Sequence, residues 1–175
     1  MSQPPKFPYI IPPGLHYKVR EFEAHCKVAQ SAPIMICGPS GVGKSLFLHI
    51  FKQLYREKAG PKPFVVTVNC SHFTGDIARS ELFGHARGAF TGAVEENEGW
   101  IEKAHGGVLI LEEVGDLPPE TQAKLLSFVE TGEYHKMGCS SIRSSDVQIV
   151  AATNRRENLR EDFRQIGRAS CRERV

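Results

Sequence analysis

Two hydrophobic rhythms alternate along this chain. Runs of mainly apolar residues at 33–37, 64–69, 108–111 and 147–152 have the length and β-branched content of buried strands. Between them, apolar residues fall at three- and four-residue steps. Val19, Phe22, Cys26 and Val28 do so over 17–30, and Leu46, Phe47, Ile50, Phe51 and Leu54 over 44–58, which predicts two amphipathic helices. Gly60-Pro61 closes the second. A further helix is expected to start at Asp116-Leu117-Pro118-Pro119-Glu120, to turn Leu125, Leu126 and Val129 inward, and to stop at Gly132. Residues 100–104 suggest a short helical turn and 157–165 a last helix. Strands alternating with helices predict a three-layer α/β domain around a parallel sheet.

Composition narrows the class. With 175 residues, 41% of them apolar, the chain can bury one sizeable core. No run has the length of a membrane span, and the opening Met1-Ser2-Gln3-Pro4-Pro5-Lys6 lacks an apolar signal core. Residues 1–15 read as an extended lead-in, since 1–14 hold five of the eleven prolines. The cysteines at 26, 37, 70, 139 and 171 show neither paired nor metal-ligand spacing, which fits a reducing, cytoplasmic setting. The formal excess of +2 resides in the last ten residues, with three arginines and one glutamate, so residues 1–165 are neutral and offer no basic surface for nucleic acid.

Residues 38–45, Gly38-Pro39-Ser40-Gly41-Val42-Gly43-Lys44-Ser45, join the first predicted strand to the following helix. Glycines let backbone N–H groups converge on phosphate oxygens at the positive end of a helix. Lys44 supplies a point charge toward the β- and γ-phosphates, and the Ser45 hydroxyl can coordinate Mg²⁺. ATP with Mg²⁺ is the expected ligand. The apolar run 108–111 then delivers Glu112-Glu113 at a strand end, where one acid serves the metal and the next orients water.

The segment ELFGHARGAFTGA, residues 81–93, is the most specific feature. Gly88 and Gly92 allow sharp turns, and Ala89 and Ala93 are small enough to leave Phe90 and Thr91 prominent. Taken alone, Phe90 reads equally as a core aromatic beside a flexible turn. Glu81 and His85 could pass for a metal pair, but no third ligand stands at a supporting interval, which favours a role in positioning the loop.

With the phosphate loop, the acids and this loop in this order, the chain resembles the sigma-54-dependent transcriptional activators, a branch of the AAA+ ATPases, over residues 16–165. The resemblance implies a P-loop AAA+ domain with strand order 5-1-4-3-2, here lacking the fifth strand and the helical lid. The strand at 34–37 would then be a bare, aggregation-prone edge. It implies that Gly88, Ala89, Phe90, Thr91, Gly92 and Ala93 contact sigma-54 on RNA polymerase. It further implies assembly as a homo-oligomeric ring, a hexamer, with DNA bound only through a C-terminal domain outside this chain.

For the site, the resemblance gives Glu113 as the residue that activates water and Glu112, with Ser45, as the Mg²⁺ ligand. The family has aspartate where Glu112 stands, and the extra methylene displaces the metal-serving oxygen by about 1.5 Å. Asn69 matches an asparagine that hydrogen-bonds the catalytic glutamate, Asn154 a sensor of the γ-phosphate, and Arg164 an arginine that reaches the neighbouring subunit's site. Read singly, Asn69 and Asn154 are more often strand-end caps or turn residues. Residues 166–175 break off the Phe163-Arg164 pattern and resemble the conceptual translation of a sequencing-adapter string, so they are expected to be a non-native tail.

Overall fold

The computed structural model describes residues 13–28, 32–59, 64–164 and 172–174. Their main elements are helices α1 (His16–Val28), α2 (Lys44–Ala59), α3 (Gly75–Phe83), α4 (Trp100–Lys103) and α5 (Pro119–Thr131). The strands are β1 (Ile34–Cys37), β2 (Val65–Asn69), β3 (Val108–Glu112), β4 (Glu133–Tyr134), β5 (Arg143–Ser144), β6 (Gln148–Thr153) and β7 (Arg172–Arg174). The first twelve residues of the expected lead-in lie outside the described residues, and Pro13–Leu15 form a 3-10 turn.

The four long strands are the four apolar runs. They form a parallel sheet in the order β2-β3-β6-β1, with β7 beside β1. Because side chains alternate across a strand, each strand feeds two cores. Val108, Ile110, Ile34, Ile36, Val150 and Ala152 pack against Phe22 of α1 and Phe47, Ile50 and Phe51 of α2. Leu109, Leu111, Ile149 and Ala151 pack on the other face against Leu82 and Phe83 of α3 and Leu125 and Phe128 of α5. These are the expected three layers. Phe22 and Phe47 meet edge to face at 5.1 Å, and burying each such ring contributes about 2 kcal/mol.

Helix α5 starts at Pro119, where a missing N–H costs nothing, and ends at Gly132 with φ 73°, whose N–H donates to Phe128 O at 2.7 Å. Its buried stripe is Thr121, Gln122, Leu125 and Phe128, while Leu126 and Val129 are only partly covered.

Three expectations are corrected. Strand β1 is not a bare edge: Met35, Ile36 and Cys37 pair in parallel with Arg172, Glu173 and Arg174. An apolar edge leaves a row of unsatisfied N–H and C=O groups, which any extended segment within reach can pair. The helix expected over 157–165 is broken into a 3-10 turn, Arg156–Asn158, and a helical stretch at 161–164. Gln122 braces the break: its buried side chain donates to Asn158 O (3.2 Å), an acceptor a continuous helix would use, and accepts from Arg160 N (3.0 Å). Finally, 133–144 holds a two-stranded hairpin, β4–β5, where no strand was expected. Tyr134 anchors it between Phe83 and Phe128, with ring centroids at 6.3 and 5.9 Å.

Candidate functional site

The carboxyl ends of β1, β6, β3 and β2 come together, because parallel pairing sets Cys37 beside Thr153 and Asn69 beside Glu112. Such a rim, where chain connections leave to opposite faces, is where open α/β sheets take ligands. The phosphate loop is fastened to it by Gly38 N donating to Thr153 O at 3.2 Å. Gly41 (φ 81°) and Gly43 (φ 101°) adopt conformations that favour glycine, and α2 begins immediately after them. Lys44 Nζ curls back to donate to Gly38 O (3.0 Å) and Pro39 O (3.1 Å), which places its charge over the loop. Ser45 is exposed beside it. A positive helix end, two left-handed glycines, an ammonium and a free hydroxyl suit a triphosphate with Mg²⁺.

Glu113 is the only non-glycine residue with positive φ among the described residues, at φ 53° and ψ 45°. A left-handed residue of this kind costs about 1–2 kcal/mol, which the surrounding contacts must offset. Its Oε2 accepts from Asn154 N at 3.1 Å, and Asn154 Nδ2 donates to Ser40 Oγ at 3.0 Å. A hydrogen-bonded chain therefore runs from the acid through Asn154 to the phosphate loop. Asn154 Oδ1 is buried without a partner, an acceptor still to be satisfied. Beneath the rim, burial pushes the Cys70 thiol up to about 12, helped by the negative charges of Asp116, Glu112 and Glu113.

Two expected partners are placed otherwise. Asn69 Oδ1 accepts from Ser71 N (2.9 Å) and Ser71 Oγ (2.7 Å), so it caps a 3-10 turn, and it is Asn154 that binds Glu113. Arg164 folds onto its own chain, donating to Leu159 O at 2.8 Å and Glu157 O at 2.6 Å.

The loop that follows α3 is closed by its own backbone. Gly88 N donates to Ala93 O, Ala93 N to Phe90 O and Val94 N to Gly92 O, with Gly88 at φ 77° and Gly92 at φ 100°. Phe90 is 42% exposed and Thr91 is exposed, whereas Ala93 is 7% exposed and so does not belong to the accessible tip. The Phe90 ring leans edge-on against His85 at 5.0 Å. His85 is held by Ser80 Oγ at Nδ1 (2.7 Å) and by Glu95 O at Nε2 (3.1 Å), and Glu81 accepts from the Trp100 indole at 3.2 Å.

Below the tip the loop is narrowly gathered. A Cβ on Gly99 would lie 2.4 Å from Gly84 N, and one on Gly84 would lie 2.6 Å from Asn97 O. The β4–β5 hairpin braces this region through Ala86 N donating to Met137 O and Met137 N to Gly84 O. Lys136, with its side chain 2% exposed, binds Glu96 at 2.7 Å and Glu102 at 2.8 Å, and Arg143 binds Glu102 at 2.9 Å. The hydrogen bond and charge of Lys136 hold the Glu96 carboxyl below its usual range. Burial opposes the Lys136 ammonium, but the bonds to Glu102 and Glu96 prevail and raise its pKa.

A sequence-family model described as the sigma-54 interaction domain matches residues 16–166. The nitric oxide reductase transcription regulator NorR2 of Cupriavidus necator is 48% identical over 132 residues, 75% of this chain and 24% of that protein. AlgB of Pseudomonas aeruginosa, an alginate biosynthesis transcriptional regulatory protein, is 44% identical over 127 residues, 73% of this chain and 28% of that one. The chain thus spans about a quarter of the length of these curated relatives. Among solved structures, NtrX from Brucella abortus in complex with ATP superposes with a TM-score of 0.69 at 30% identity, covering 92% of this chain and 37% of that one. Its complex with ADP gives 0.71 at 30% identity, covering 90% and 35%.

Proposed function

The chain belongs to the sigma-54 interaction domain family, and from that premise we propose that it binds and hydrolyses ATP and turns the reaction into movement of the Phe90–Thr91 tip. The observation that carries this reading is the chain of hydrogen bonds Glu113–Asn154–Ser40, which couples the acid at the rim to the phosphate loop. The loop 38–45 would hold the triphosphate, with Lys44 over its outer phosphates. Ser45 and Glu112 would hold Mg²⁺, whose charge offsets that on the phosphoryl oxygens. Glu113, oriented by the Asn154 amide, takes the proton of the attacking water. The Asn154 Nδ2 amide, which has a second N–H besides the one given to Ser40, reads the terminal phosphate by donating to it.

In the longer protein, the moving tip engages sigma-54 on RNA polymerase and opens the promoter complex. Subunits assemble as a homo-oligomeric ring in the cytoplasm, and Arg164 leaves Leu159 O and Glu157 O to reach its neighbour's site. DNA is bound by a segment outside this chain. The test is Thr91→Ala in the longer protein: ATP turnover should persist while sigma-54 engagement is lost, and retained engagement excludes the role given to the tip.

One observation favours a second reading, an ATP-binding switch that hardly hydrolyses. Glu112 carries one methylene more than the family's aspartate at the metal, and misplacement of about 1 Å lowers rates on the order of 100-fold.

A further inference from the structure

We propose that His85 is a positioning residue: it is the seat on which the Phe90 ring rests, and the ring must leave it before a partner can take it. The inference builds on the reading of the tip as the sigma-54 contact. Three observations converge. The two rings meet edge to face at 5.0 Å and 65°, within the range in which aromatic pairs attract beyond their buried area. The imidazole is fixed at both nitrogens. A carbonyl oxygen only accepts, so Nε2 carries the proton donated to Glu95 O, and Ser80 Oγ lies at 2.7 Å from Nδ1. Ser80 is itself buried at the end of α3, so the seat is tied to the helix, while Glu95 lies on the far limb of the loop. His85 also pairs with Asn97 through two backbone bonds, His85 N to Asn97 O at 3.1 Å and Asn97 N to His85 O at 3.0 Å.

The contact at 5.0 Å covers part of the Phe90 ring with the imidazole, and a partner that packs on that part must displace His85 from it. The seat and the partner therefore compete for the same ring, and a shift of α3 that moves Ser80 would weaken the seat.

The test is amide exchange measured by mass spectrometry on the 175-residue chain and three variants, with the β3 and β6 amides as the control for intact folding. His85→Gln, which keeps polar groups but has no ring, should speed exchange at Gly88, Ala93 and Val94 at least tenfold. Phe90→Ala should do the same, and the double variant should add nothing further. His85→Phe, which keeps a ring but no polar groups, should retain at least half of the tip's protection on a logarithmic scale. Additive effects of the two substitutions, or unchanged exchange in His85→Gln, would overturn the seat, as would His85→Phe loosening the tip as much as His85→Gln.

In the longer protein, His85→Gln should raise nucleotide-independent retention of sigma-54 at least threefold. A loosened tip with unchanged retention would overturn the competition. If no form retains sigma-54 even with ATP, the partner reading fails, and the exchange data still decide the seat.

Discussion

Glu113 and Asn154 meet at the rim of the sheet through a backbone donor: the amide of Asn154 binds the carboxylate of Glu113 at 3.1 Å. The bond does not depend on the Asn154 side chain, which binds Ser40 through Nδ2 and keeps its one oxygen, Oδ1, without a partner. The two functions of Asn154 can therefore be separated by mutation.

Glu113→Gln keeps an oxygen for the Asn154 amide and loses only basicity. In the longer protein, ATP affinity should stay within about threefold while turnover falls by about 100-fold or more, the usual contribution of a general base. Asn154→Ala keeps the amide and should lower turnover while leaving the fold intact. Equilibrium nucleotide binding and steady-state phosphate release distinguish the two.

Glu112→Asp should raise turnover by about tenfold or more if the longer side chain misplaces the metal. An unchanged rate, measured at saturating Mg²⁺ and ATP, would remove that explanation and favour ordinary hydrolysis with glutamate in place.

Gly115 lies where a Cβ would meet Thr153 Oγ1 at 2.6 Å and Arg155 O at 2.7 Å. Gly115→Ala should push the end of β6 away from the phosphate loop. Unfolding by urea should show a loss of about 1–3 kcal/mol, as overpacked cores do, with weaker nucleotide binding.

Stability should fall at both ends of the pH range through the Lys136 cluster. The lowered pKa of Glu96 means that its contribution is full above the unfolded value of 4.5 and is lost as pH falls through the lowered one. The raised pKa of Lys136 means that its contribution is full below 10.5 and is lost as pH rises through the raised one. Lys136→Met should remove both dependences, read as a flatter profile of urea midpoint against pH.

Thiol labelling should discriminate between two cysteines. Hydrogen bonding from Ser141 lowers the pKa of Cys139, whereas Cys70 is fully buried with its thiol pushed up to about 12. Cys139 should react at least about tenfold faster in the folded chain, and denaturant should erase the difference.

What could be read from the chain was whatever local periodicity encodes. The four long strands, α1, α2 and α5 with its Gly132 stop, and the phosphate loop were all legible, because each follows from residues within a few positions of one another. What escaped depends on distant partners. The break near 157–165 is braced by Gln122, and Asn154 reaches Ser40 at the end of the neighbouring strand. Strands β4 and β5, of two residues each, are too short to show an alternation. Helix α3 begins at a glycine with φ 50° and has no side-chain cap, so its start carries no signal, although Ala78, Leu82 and Phe83 are buried along it. Lys136 reads as an ordinary solvated charge until the fold encloses it.

The contact between Gly84 and Gly99 works like a knot in a drawstring. Lengthening or rewriting the tip beyond it should leave the sheet undisturbed, whereas the smallest side chain added at the knot would force the two cords apart. Variation in the tip therefore costs the fold little, and the power to aim it is concentrated where two backbones touch.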